Sequence, residues 1–386
     1  MIDIFKIRTN KSPFGGFRGL FFFLLLSFAA SAQKQTLFLS GTDNTYTKTW
    51  EFFCTSGRNS GVWSKIEVPS HWEQQGFGEY DYGRDYRTYG KKFKFAEEKG
   101  LYKYSFQVPA EWKNRKVFIV FEGSMTDTEV KINGQLAGEI HQGAFYQFRY
   151  DITDKLKFGQ TNLLEATVSK MSADQSVNRA ERFADYWVFG GIFRPVYLEA
   201  FPQEFIEHVA IDAKADGSFA MDVFPKNLKG NRILLAEIFD AKNKKVASCN
   251  ATAKNADSLV ILNCKLADPA LWTAETPNRY SVRISLKDDK NELYSTTEKF
   301  GFRTIEIRPG NGIYLNGTKI KMKGINRHAF WPETGRCLNN QINLDDVKLI
   351  KSMNMNAIRC SHYPPDQIFL DYCDSLGLYV LDELAG

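Results

Sequence analysis

Apolar and polar residues alternate in short runs over the first half of the chain. YKYSFQV (102–108), KVFIVFEG (116–123), TEVKINGQLAG (128–138), NLLEATVS (162–169) and RPVYLEAF (194–201) all carry strand-like alternation. Asn133-Gly134 sits between two such runs and predicts a tight hairpin. Many strands with little helix predict a jelly roll or sandwich over residues 33–202. The pattern continues over 203–304 in HVAIDA (208–213), SFAMDVF (218–224), RILLAEIFD (232–240), SLVILNCKL (258–266) and RYSVRISLK (279–287). About 100 residues of antiparallel-type strands predict an immunoglobulin-like sandwich, without the Cys…Trp…Cys spacing of antibody domains.

After Gly312 the period changes. KIKMKGIN (319–326), NAIRCS (356–361) and LYVLDE (378–383) read as strands of the buried type. Between them LDDVKLIKSMN (344–354) is amphipathic, with Val347, Ile350 and Met353 on one face. PDQIFLDYCDSLG (365–377) is a second helix, opened by proline and closed by glycine. Strand–helix–strand–helix–strand predicts parallel β/α architecture over 305–386. Function in such barrels gathers at the C-terminal ends of strands. His328, Arg359, His362 and Glu383 fall at or just past those ends.

The N-terminus changes the picture of where the protein works. Lys6, Arg8, Lys11 and Arg18 precede the apolar run LFFFLLLSFAA (20–30), and Ala30-Ser31-Ala32 reads as a cleavage site. Residues 1–32 are therefore expected to be a signal peptide, with Gln33 starting the mature chain. An exported protein, periplasmic or extracellular, follows. The run is too short for a stable membrane span, which takes about 20 residues. The leader carries four basic and one acidic residue, so it holds most of the net charge of +5. The near-neutral remainder excludes a nucleic-acid footprint. The 31 Phe, 17 Tyr and 7 Trp suit sugar faces but equally fill β-rich cores. Cys249 and Cys264 could pair across adjacent strands, whereas Cys54, Cys337, Cys360 and Cys373 read as small buried residues.

The run NAIRCSHYPPDQIFLDYCDSLGLYVL (356–381) matches a family signature at every defined position: Asn356, Arg359, Cys360-Ser361, His362-Tyr363-Pro364, Phe369-Leu370, Asp374, Gly377 and the apolar block 378–381. KGINRH (323–328), FGFRTIEI (300–307), DYWVFGGIFRPV (185–196) and GLYKY (100–104) stand in the family's order. The chain thus resembles glycoside hydrolase family 2, β-galactosidases in particular. The resemblance implies a jelly-roll sugar-binding-like domain, an immunoglobulin-like sandwich and the first strands of a (β/α)8 TIM barrel. It implies a carbohydrate substrate, with terminal β-linked sugars, here β-galactosides, removed by a retaining mechanism. β-Glucuronidase, β-mannosidase and a non-catalytic carbohydrate-binding protein are the alternatives. A homo-oligomer stays open for the full-length protein.

By the same resemblance His328 and His362 bind sugar hydroxyls, and Arg359 lies under the nucleophile, lowering its pKa. Asp185 reaches over from the first domain, unless it simply pairs with Arg194. Asn326 supports the site from behind, and Trp331 shapes the pocket. Glu383 orients other groups, and Cys360 packs. Both catalytic Glu are expected on later strands, after residue 386, so the chain alone is expected to be inactive. The family brings magnesium or sodium as candidate ions. Its usual magnesium motif is absent, because Asp382-Glu383 continues into Leu384-Ala385-Gly386, and Ala329-Phe330-Trp331 replaces an acidic stretch. Glu97 stands where the family has Asn before G-x-Y.

Overall fold

A computed structural model describes residues 32–79, 97–182, 187–254 and 259–385. The first domain is two antiparallel sheets face to face. One has six strands, in the order Trp63–Val68, Lys48–Cys54, Lys99–Gln107, Thr161–Ser169, Asp127–Ile132, Gln135–Leu136. The other orders Gln35–Phe38, Val196–Phe201, Lys116–Phe121 and Phe148–Asp151, so the two ends of the domain pair with each other. Strict alternation explains the layering. In Thr161–Ser169 every second residue is buried, and Leu164, Ala166 and Val168 join Trp50, Phe52, Tyr102 and Ile119 in one core. Asn133 and Gly134 both adopt positive φ (52° and 81°), the backbone a two-residue hairpin demands.

The second domain is a seven-stranded sandwich. Three strands (Phe205–Ala213, Ser218–Lys226, Val260–Lys265) face four (Lys245–Ala253, Arg232–Phe239, Tyr280–Lys287, Glu292–Phe300). Cys249 and Cys264 are disulfide-bonded with Cα atoms 5.6 Å apart. Their strands are consecutive in sequence but belong to different sheets, each at an edge. The bond therefore staples sheet to sheet, rather than joining neighbours within one sheet. The other four cysteines are buried thiols.

A small meander (Ile305–Arg308, Gly312–Leu315, Thr318–Lys319) leads into three parallel strands, Gly324–Arg327, Ala357–Cys360 and Tyr379–Leu381. Helices Asn340–Ser352 and Gln367–Leu376 cross between them. The first helix begins four residues before the apolar spacing predicts, because the Asn339 side chain accepts from the Ile342 N–H and caps it. It also ends earlier. Val347 and Ile350 are buried, but Met353 lies past the last turn and is 45% exposed. The second helix stops at Gly377, at φ +81°, where an added Cβ would sit 2.2 Å from the Ala274 carbonyl oxygen. Both helices share one core with the strands, Val347 and Ile350 from the first and Phe369 and Cys373 from the second joining Ile358, Cys360 and Leu378.

The second domain grips this unit from below. The Trp272 indole N–H donates to the Asp374 carbonyl (2.8 Å), and Lys351 Nζ donates to the carbonyls of Ala274 and Gly377. No helix among the described residues is long and apolar enough to cross a membrane.

The disulfide closes a loop of 15 residues, which chain entropy values at about 3 kcal/mol. Urea unfolding of a Cys249→Ser/Cys264→Ser protein is expected to show the second domain destabilised by about that amount. An unchanged midpoint would contradict this.

Candidate functional site at the mouth of the parallel strands

The parallel register sets Asn326, Arg359 and Leu381 in one row across the sheet. Residues in such a row share a face, and their neighbours point the other way. Arg327 accordingly turns to the helices. It bonds Asp346 (2.7 Å) and Asn343 (2.9 Å) and lies over the Phe369 ring. Arg359 turns to the opposite face and into the mouth.

There Glu383 is the hub. Arg359 grips it with Nε on Oε2 (2.6 Å) and Nη2 on Oε1 (2.8 Å), a bidentate pair. His362 Nδ1 lies 3.0 Å from the same Oε1. An ionised carboxylate only accepts, so Nδ1 carries the proton. That bond first, and Arg359 second, hold the Glu383 carboxyl below its ordinary range. The His328 ring meets His362 edge to face at 5.4 Å, and its Nδ1 is 3.4 Å from the Tyr363 hydroxyl. The peptide between Ser361 and His362 is cis.

His328, Arg359, His362 and Glu383 thus stand together, as their places at strand ends predict. Asn326 shares the Arg359 row but stands apart from this hydrogen-bonded cluster, and it is exposed. Trp331 is 44% exposed in a turn closed by its N–H on the Gly335 carbonyl. Asp185 lies outside the described residues. Arg194, its alternative partner, is paired with Asp366 at 2.8 Å. Tyr363 belongs to the signature but carries no role in the sequence reading; its hydroxyl reaches both His328 and the Ala329 carbonyl. Among the described residues no group of three or more His, Cys, Asp or Glu could hold a metal. A divalent cation fits poorly at Glu383, whose two oxygens already face a guanidinium and an imidazole N–H. Two cavities, of about 400 and 290 Å³, lie away from this mouth.

The first domain reaches the mouth through its 187–194 loop. Val188, Phe189 and Phe193 are buried against Ala329, Leu338 and Tyr363. Arg194 donates to the carbonyls of Phe145 and Pro364, one in each domain. His71 is wholly buried in this seam. The Arg336 backbone N–H donates to its Nε2 (3.1 Å), so Nδ1 bears the proton and donates to the Gly190 carbonyl (3.1 Å). Gly335, at φ +61°, brings its Cα so close that a Cβ would lie 2.6 Å from the His71 ring. No sequence motif marks His71. Its role exists only because residues 265 positions apart meet.

Burial, and then the Arg336 charge, lower the His71 pKa to about 3. The unfolded chain therefore takes up this proton first, near the ordinary value of 6.5. Stability from this site is complete above about pH 6.5 and drains away as pH falls toward 3, by about 1.4 kcal/mol per pH unit. Thermal unfolding between pH 7 and 4.5 is expected to show this slope in the native protein and a shallower one in His71→Asn. Parallel slopes would contradict it.

Three models of one family match in succession from residue 54 to 386: the glycosyl hydrolases family 2 sugar binding domain over 54–202, glycosyl hydrolases family 2 over 204–303, and the glycosyl hydrolases family 2 TIM barrel domain over 305–386. A β-galactosidase from Halalkalibacterium halodurans is 31% identical over 356 residues, 88% of this chain and 34% of that protein. One from Thermoanaerobacter pseudethanolicus is 30% identical over 292 residues, 74% of this chain and 39% of that protein. The chain thus spans little more than a third of the length of these relatives. The structure of a Bacteroides uniformis β-glucuronidase superimposes with a TM-score of 0.76 at 24% identity, covering 92% of this chain and 42% of that one, a likeness of fold. With its sugar-binding, sandwich and barrel segments in the family's order and the signature residues at the strand mouth, the chain belongs to glycosyl hydrolase family 2.

Proposed function

We propose that this chain is part of an exported retaining β-glycosidase that removes terminal β-linked sugars, with β-galactosides as substrate. The observation that carries this reading is the cluster of Arg359, His362, His328 and Glu383 at one strand mouth. It offers fixed donors and acceptors at the place where a sugar ring must be held. The β-galactosidase relatives favour galactose among the sugars of the family.

A retaining mechanism needs two carboxyl groups about 5–5.5 Å apart, one nucleophile and one acid/base. Glu383 is poorly suited to the acid role, since its partners keep it ionised. It serves instead as an anchor. By neutralising Arg359 it fixes the guanidinium plane, and by accepting from His362 it fixes that ring and its tautomer. The two catalytic carboxylates are expected on later strands of the full-length barrel. Arg359 would then keep a neighbouring nucleophile ionised, and the two imidazoles would hold hydroxyls whose bonds tighten in the oxocarbenium-like transition state.

Rates of the full-length protein on nitrophenyl β-galactoside, β-glucuronide and β-mannoside test the substrate. Galactoside hydrolysis well above the other two is expected, and a glucuronide or mannoside preference would reassign the sugar. No hydrolysis with retained sugar binding would leave a carbohydrate-binding protein. His362→Ala is expected to lower kcat/KM on the preferred substrate by about 10–100-fold, the worth of one hydrogen bond to a charged group. Export is tested by N-terminal sequencing of the secreted protein, where Gln33 is the expected first residue.

A further inference from the structure

Four rings form a column from the buried seam to the surface. His71 lies 4.8 Å from Phe189. Phe189 is nearly parallel to Phe330 (13°, 6.2 Å), and Phe330 stacks on Trp187 (27°, 4.5 Å). Burial falls along it: His71 and Phe189 are fully enclosed, Phe330 is half-buried, and Trp187 is 43% exposed. Trp187 and Phe189 come from the first domain and Phe330 from the barrel segment, so only the docked domains create the column.

Single exposed aromatics are ordinary on a protein surface, and what sets Trp187 apart is the ring-on-ring support beneath it. One face of Trp187 rests on Phe330, and the residue keeps 43% of its surface exposed. Phe330 follows His328 by two residues, so its backbone lies within about 7 Å of that histidine's. An exposed indole stacked on the residue two places after His328 is an arrangement that suits a pyranose. The C–H face of the sugar lies on the π-surface, while its rim of hydroxyls finds donors and acceptors. The rigid support matters too. Phe330 and Phe189 fix the indole plane, so little side-chain freedom is lost when a ring settles on it.

We infer that Trp187, braced by Phe330, is the platform for a second sugar ring, the one to which the terminal sugar is linked. This rests on the glycosidase reading above and extends it. The protein is then built for di- or oligosaccharides, in which a pyranose follows the bond to be cut, rather than for glycosides of small alcohols. The binding is sequence-tolerant along the saccharide, since it reads a C–H face and not a hydroxyl pattern.

The test compares the full-length protein with Trp187→Ala and Trp187→Phe. Two substrates are used, a β-linked disaccharide and the matching methyl glycoside. Trp187→Ala is expected to lower the ratio of kcat/KM for disaccharide over methyl glycoside by up to about tenfold. Trp187→Phe should restore most of it, with both variants checked for an unchanged melting temperature. An unchanged ratio, or an equal loss on both substrates, overturns the platform. A second readout separates this inference from the glycosidase reading. Titration of the same proteins with the disaccharide, followed by tryptophan fluorescence, should show a signal that Trp187→Phe removes. If the wild type hydrolyses neither substrate but shows that signal, the enzymatic reading fails and the platform stands. If the signal is absent, the platform fails whatever the rates.

Discussion

The geometry of the mouth depends on a buried charge. Lys170 is 2% exposed and sits between Glu73 (2.6 Å) and Glu98 (3.1 Å), themselves all but sealed from solvent. Such a trio costs desolvation energy, and burial pushes the Glu73 carboxyl up while Lys170 pulls it back. Breaking one member would leave an uncompensated charge, at about 3–5 kcal/mol. What the trio secures is position. Both oxygens of Glu73 accept from the Gly190 N–H (2.9 and 3.0 Å), and Glu98 accepts from the Glu79 N–H and, at 3.4 Å, from the Trp72 indole. Gly190 in turn accepts from His71, and His71 receives the Arg336 N–H. One continuous chain of bonds runs from the core of the first domain to the loop that follows His328.

This explains why the site lies at a seam. The barrel strands supply Arg359, His362 and Glu383, but their surroundings come from elsewhere. The first domain covers one side with Val188, Phe189 and Phe193. The second domain holds the base through the Trp272 indole and through the Ala274 carbonyl, which accepts from Lys351. A mouth assembled this way depends for its shape on domain docking. Loss of packing at His71 would therefore be felt at the mouth before any mouth residue changed.

The parallel sheet divides its two faces sharply. Arg327 and Arg359 stand one position apart in the shared register, yet one locks helix to strand and the other pairs with Glu383 at the mouth. A shift of one residue would exchange them, placing a charge in the helix interface and emptying the mouth. The Ser361 N–H and hydroxyl both donate to the Arg327 carbonyl just beyond the last strand pair, which guards that register.

The sequence by itself determined the layers. Alternation marks the strands, and Asn133-Gly134 marks its hairpin, because side-chain period and positive φ are local properties. The signature around His362 placed Arg359 and His362 at one mouth, since strand ends in a parallel sheet converge whatever lies around them. Helix ends were less legible: Asn339 caps the helix four residues early, and Met353 falls outside it, because capping competes with apolar spacing. Only the tertiary structure decided the rest. It put Cys249 and Cys264 in opposite sheets, gave Arg194 to Asp366, and made Glu383 the hub. It also turned His71, a lone histidine in sequence, into the pin between two domains. Each depends on how separate strands and loops are brought together, over 15 residues for the disulfide and 265 for His71 and Arg336, and no local pattern encodes such a contact.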